Sequence, residues 1–184
     1  MRADAQRNRD RIVEVAREVF GAQGYGASLD LVAKRAGVGA GTLYRHFPSR
    51  ENLIDAIMQS WVDRVDEAAD KTLAQEGGPR ELLLAWLSAY VSLISLHKGG
   101  PAKITSALDD EGSPIRHKCQ VLTAATDRVA DRLRADGALR EDTDTVSICR
   151  LVGGVASVAD QGDLDAAAVR PLLEVLADGL LAPA

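Results

Sequence analysis

Apolar residues recur along this chain at three- and four-residue intervals, and no stretch of useful length alternates with a period of two. Ile12, Ala16, Val19, Phe20 and Gln23 trace one face of a first helix, with Arg7, Arg9, Arg11 and Arg17 around it. The glycines of GAQGYGAS stop that helix, and Tyr25 is expected to pack at the turn. Ser28 then reads as an N-cap with Asp30 in the first turn. Leu29, Val32, Ala33 and Ala36, at i, i+3, i+4 and i+7, define a short second helix that Gly37 closes. A third short helix runs from about Ala40 to His46.

Pro48 ends that third helix, and Ser49 caps a long fourth one that reaches the mid-70s with Leu53, Ile54, Ile57, Met58, Trp61, Val62 and Val65 inside. Further helices are predicted at roughly 79–97, 101–109, 114–136, 142–161 and 164–181, separated by KGGP, DDEGSP, ADGAL and ADQGD. The expected fold is therefore all-α. About nine helices form an N-terminal three-helix head, residues 1–48, on a larger helical bundle, residues 49–184. The longest uncharged apolar run, Leu82 to Leu96, is too short for a bilayer and reads as a buried helix.

Charge changes this picture. The chain carries 22 Lys and Arg against 27 Asp and Glu, a net −5 that by itself argues against a nucleic-acid partner. Residues 1–50, however, hold nine basic and five acidic side chains, leaving thirteen and twenty-two for the rest. A head at +4 thus sits on a body at −9, which suits a polyanion partner at one end only. Nothing at the N-terminus reads as a secretion signal, so a cytoplasmic location is expected. Cys119 and Cys149 lie in apolar patterns without C-x-x-C spacing and read as small buried hydrophobes, a redox pair being the alternative.

The chemistry concentrates in AGVGAGTLYRHFPSR, residues 36–50. GVGAGT partly imitates a dinucleotide-binding glycine loop, but an amphipathic helix precedes it where a strand is required, and no Gly-Lys-Ser/Thr follows. A helix-turn-helix fits the spacing: Gly37 supplies the turn, Val38 plugs the gap, and Leu43 and Phe47 face inward. Gly39, Ala40 and Gly41 make the start of the third helix slim enough for its backbone to approach a groove floor. Thr42, Tyr44, Arg45 and His46 are left for DNA.

The run IVEVAREVFGAQGYGASLDLVAKRAGVGAGTLYRHFPSRENL resembles the DNA-binding head of the tetracycline-repressor (TetR) family of bacterial regulators over about residues 7–55. The resemblance implies that Thr42 and Tyr44 touch DNA, that His46 meets phosphate and that Arg50 reaches the backbone. With Ser28, Gly39, Ala40 and Arg45 they complete the expected DNA-binding set. This chain has Gly39 and Ala40 where the family often carries longer polar side chains, so few groups remain to read bases. PAKITSALDDEGSPIRHKC resembles the body of regulators common in actinobacteria.

The family also implies a small-molecule effector between helices of the body, and dimerisation through the last helices. Trp86, Tyr90, Leu93 and His97 share one face of the fifth helix, either as a core stripe or as an effector pocket that Met58, Trp61, Thr105 and Thr123 help to line. TVSICRLVGGVASVA carries a single charge, and the last helix adds Val169, Leu172, Leu173, Leu176 and Leu180. This apolar surplus predicts a homodimer contact through Val152, Gly153, Gly154, Val169, Leu172, Leu173 and Leu176. Asp109, Asp110 and Glu111 near His117 and Cys119 have poor spacing for a metal and read as a solvated turn; no cofactor and no membrane partner are expected. The expected function is a repressor that a small molecule releases from double-stranded operator DNA. Alternatives are an activator, a ligand-free repressor or, from another class, a small helical metal-dependent sensor or enzyme. No catalytic arrangement supports that last one.

Overall fold

A computed structural model describes residues 2–24, 26–96, 98–110 and 115–183. Tyr25, His97 and Glu111 lie outside the described residues. Among those described, the chain forms nine helices and no β-strand: α1 (Arg2–Gln23), α2 (Leu29–Ala36), α3 (Ala40–His46), α4 (Arg50–Leu73), α5 (Pro79–Ile94), α6 (Gly100–Ser106), α7 (Arg116–Ala135), α8 (Thr145–Gln161) and α9 (Ala166–Leu180). They fall into two compact units, Met1–Asp63 and Arg64–Ala184, so that α4 runs through the division.

In the first unit the inward face of α1, formed by Ile12, Ala16, Val19 and Phe20, meets Leu29, Val32, Ala33 and Ala36 of α2 and Leu43 of α3. Gln23, expected on that face, is exposed instead, because α1 ends there and Gly24 turns the chain at φ 83°. The core extends past the boundary expected at residue 48: Leu53, Ala56 and Ile57 of α4 are buried in it. Both local signals of α2 are realised. The Ser28 hydroxyl oxygen accepts from Asp30 N at 3.2 Å, and Gly37 adopts the left-handed conformation at φ 67°.

The second unit is built around α8, which packs against α5, α6, α7 and α9. Its core centres on Trp86, Tyr90, Leu122, Leu133, Ile148 and Val152. Asp144 and Asp165 cap α8 and α9 by accepting from Ser147 N at 2.8 Å and Ala168 N at 2.9 Å. Arg140 N donates to Leu180 O and Ala182 N to Ala138 O, pinning the end of α9 beside the α7–α8 connection. On α4, Asp66 and Asp70 both pair with Arg128 of α7. Two elements are shorter than expected: α5 stops at Ile94 with Ser95 as its C-cap, and α6 stops at Ser106.

Candidate nucleic-acid interface

Three groups in the turn aim α3 outward. Gly37 reverses the chain after α2, Val38 N donates back to Ala33 O at 3.0 Å, and Gly39, in extended conformation, is the N-cap of α3. Leu43 and Phe47, both buried, anchor the inner side, while Ala40, Gly41, Tyr44 and Arg45 are exposed and Thr42 is half-buried. A Cβ placed on Gly39 or Gly41 would meet nothing within 4 Å. The fold itself therefore does not demand glycine at either position. A surface approached closely from outside would, which is the condition for a helix lying in a groove.

The predicted DNA-binding residues separate into two sets. Tyr44 is 47% exposed, and Thr42, two residues before it on α3, is half-buried. His46 is half-buried, its ring 6.4 Å from that of Phe47. Ser28 is exposed but spends its oxygen on capping α2. Arg50 departs most from expectation. Its Nη1 donates to Ala27 O at 2.7 Å, and its guanidinium carbon lies 5.6 Å from the centre of the Phe20 ring. A long cationic side chain here ties the α1–α2 turn to the start of α4 through a partly buried hydrogen bond. Arg50→Ala is accordingly expected to destabilise the protein by about 2 kcal/mol, from one lost hydrogen bond and one cation–π contact. Denaturant unfolding checks this. A phosphate-only role would instead leave stability unchanged and reduce the salt dependence of DNA binding.

Two contributions from α1 were missed. Arg9 lies over the Phe47 ring at 5.3 Å, and the Arg11 guanidinium would stand 3.3 Å from a Cβ on Gly37. Arg9 thus packs on the end of α3 and Arg11 stands beside the α2–α3 turn, both from a helix distant in sequence, and no local pattern signals it.

Of the expected effector residues, Trp86, Tyr90, Thr105 and Thr123 have partners within the chain. Trp86 Nε1 donates to Thr126 Oγ1 at 3.2 Å, and the Tyr90 ring meets Trp86 edge-on at 6.2 Å; both side chains are fully buried core. Burial pushes the Tyr90 phenol well above its usual range. Thr105 and Thr123 donate to the carbonyls of Pro101 and Cys119, each at 2.9 Å. Met58 and Trp61 belong to the first unit, half-buried and buried. A groove of about 770 Å³ opens instead on the opposite side of α5, lined by Leu84, Ser88, Val91 and Ser92 with Val169 and Leu173 of α9. Cys119 and Cys149 are free and buried, and desolvation raises both thiols. Asp109 pairs with Arg150.

The expected dimer residues also divide. Val152, Gly153, Val169 and Leu173 are buried within the protomer, a correction to the predicted contact face. Gly153 is needed inside, because a Cβ there would clash with Thr105 Oγ1 of α6. Gly154 is exposed with nothing within 4 Å, Leu172 is exposed and Leu176 half-buried. The outward row that the sequence reading missed is Leu151 and Val158 on α8 and Val175 on α9.

A capped short helix, a left-handed glycine turn and a slim, outward third helix define a helix-turn-helix protein. Residues 12–57 match the family model described as bacterial regulatory proteins, tetR family, and residues 78–182 match that of the SbtR-like transcriptional regulator C-terminal domain. The chain belongs to the TetR family of bacterial transcriptional regulators. It is 33% identical to a TetR transcriptional regulator from Streptomyces coelicolor, covering 96% of this chain and 99% of that one with a TM-score of 0.69. A TetR regulatory protein from Mycobacterium vanbaalenii is 31% identical over 98% of this chain and 99% of its own, with a TM-score of 0.66. Among curated relatives, an HTH-type transcriptional regulator of Staphylococcus aureus (strain USA300) is 42% identical over 64 residues, 34% of this chain. The match spans only 35% of that protein's length.

Proposed function

We propose that this protein is a homodimeric, cytoplasmic repressor that binds double-stranded operator DNA through α3 and leaves it when a small molecule occupies the body. The observation that carries the DNA reading is the exposed Tyr44, with the partly exposed Thr42, on a helix whose start presents only Gly39, Ala40 and Gly41 outward, two of them glycines beside which a Cβ would meet nothing within 4 Å. The basic balance of residues 1–50 on an otherwise acidic chain supports the same surface. For the effector, the groove between α5 and α9 has the volume of a small-molecule site, an apolar floor and a row of serine hydroxyls. A ligand there shifts DNA affinity only by its differential affinity for the two states of the dimer.

Fluorescence anisotropy on operator and random duplexes across a salt series tests the reading. A dimer that neutralises roughly four to eight phosphates gives a slope of log affinity against log salt of about −4 to −7. A flat response would mean that the basic head is not a phosphate-binding surface.

A further inference from the structure

We infer that the groove between α5 and α9 takes an amphipathic organic cation, an apolar body with an ammonium-type head, and that the head lies at the Asp160 end; the inference deepens the effector reading above and rests on it. At about 770 Å³ the groove has the size of a small-molecule site. Leu84 and Val91 of α5 face it from one side, Val169 and Leu173 of α9 from the other. Leu151, Val158, Leu172 and Val175 do not line it, so it is distinct from the exposed apolar row on α8 and α9.

Charge selects the head. The ionisable residues that line the groove are Glu81, Asp160, Asp163 and Arg170. Arg170 is already paired, its Nε donating to Glu174 Oε1 at 3.0 Å. Asp163 is paired with Lys98, whose ammonium also donates to Asp160 O. Among the described residues, the half-buried Asp160 carboxylate accepts only from Gly99 N, at 2.8 Å. Glu81 makes no hydrogen bond or ion pair among them, and the neighbouring Arg80 gives its Nε and Nη2 to Asp178. Cancelling the Arg170–Glu174 and Asp163–Lys98 pairs leaves Glu81 and Asp160, a net −2. A carboxylate ligand adds to that charge, and a neutral one takes water from Asp160 without replacing it. A cation offsets it.

The two carboxylates lie at different helix ends. Glu81 is exposed in the first turn of α5, where the helix N-terminus already offsets a negative charge. Asp160 is in the last turn of α8, where the free carbonyls add to it. The N-terminus of α9, whose Ala166 also lines the groove, is offset by its own Asp165 cap. The Lys98 ammonium, seated on Asp160 O and the Asp163 carboxylate, is the kind of group this end holds.

The test uses the full-length protein and three probes of one tail length, decylammonium, decanol and decanoate, below their aggregation concentrations. Calorimetric titration reads binding, and anisotropy of labelled operator reads release. Decylammonium is expected to bind on the order of tenfold tighter than decanol, and decanoate more weakly than either. Asp160→Asn keeps an oxygen for the Gly99 amide and should abolish the preference for the ammonium. Lys98→Met removes the resident cation and should tighten decylammonium binding, a gain that a poorly folded variant cannot give. Ser88→Trp, at an exposed position lining the groove, should weaken binding by obstruction. If decanol or decanoate binds as tightly as decylammonium and Ser88→Trp weakens it, the groove stands and the cation assignment is overturned. It is equally overturned if no probe binds, or if Asp160→Asn and Ser88→Trp leave decylammonium binding unchanged. Decylammonium that binds in the expected pattern yet leaves operator affinity unchanged would instead remove the effector reading and keep the site.

Discussion

Tyr44→Ala is expected to cost about 10²-fold or more in operator affinity while the protein melts at the wild-type temperature. The two halves of this expectation have separate causes. Tyr44 is 47% exposed on the outer side of α3, whereas Leu43 and Phe47 are buried and hold the helix in place. Truncation at Ala therefore opens no cavity and removes no core contact, and alanine is the better helix former. On DNA the phenol supplies both a ring surface and a hydroxyl for the backbone or a base edge. A hydrogen bond to a charged oxygen is worth about 1.5–3 kcal/mol, and a dimer loses one from each head. Gel-shift titration alongside thermal melts measures both halves. Retention of wild-type affinity would take Tyr44 out of the interface.

Much of the helix-turn-helix geometry is legible in the sequence because its determinants are local. Ser28 and Gly37 act on α2 within one turn of themselves, through a cap and a left-handed terminus. The inward pair Leu43 and Phe47 is a simple i, i+4 spacing. Arg50 escapes such reading, since the carbonyl it bonds belongs to Ala27, twenty-three residues away. The family resemblance implies a backbone contact for Arg50; only tertiary structure supplies the partner inside the chain. Arg9 and Arg11 escape for the same reason.

In the body, helix existence was legible and helix phase was not. A periodicity argument needs a polar face to define the apolar one. Along α9 that contrast is absent: Val169, Leu173, Ala177 and Leu180 turn inward, while Leu172 and Val175 turn out. The small Ala177 is what completes the inner face, and leucine spacing alone points elsewhere. Pro171 gives no warning either, because it lies on the exposed side of α9, which continues past it. Gly153 and Gly154 are equivalent as letters. Their roles separate only through Thr105, which occupies the space beside one and not the other. The stripe of Trp86 and Tyr90 likewise reads as core or pocket from sequence. Both rings are fully buried, and Thr126, forty residues from Trp86, accepts a hydrogen bond from its indole N–H.

Val175→Glu is expected to convert the dimer to monomer and to lower operator affinity by about 10²–10⁴-fold, the share that joining two heads contributes through effective concentration. Val175 is 75% exposed in the protomer, Val158 57%, Leu151 48% and Leu172 38%. Single exposed apolar side chains are ordinary, but Leu151 and Val158 share one face of α8 with the exposed Gly154, Leu172 and Val175 share one face of α9, and the two helices pack on each other. A two-fold dimer through this face buries each of them against the partner's copy. A glutamate at 175 leaves the isolated protomer undisturbed, since the site faces solvent and glutamate is a better helix former than valine. In the dimer it forces two carboxylates out of water without a counter-ion. Gly153→Leu provides the contrast: overpacking against Thr105 should lower protomer stability by about 1–3 kcal/mol or more, whatever the association state. Light scattering and denaturant unfolding separate the two variants. If Val175→Glu remains dimeric with full DNA affinity, the α8–α9 face is not the interface, and the exposed row needs another occupant.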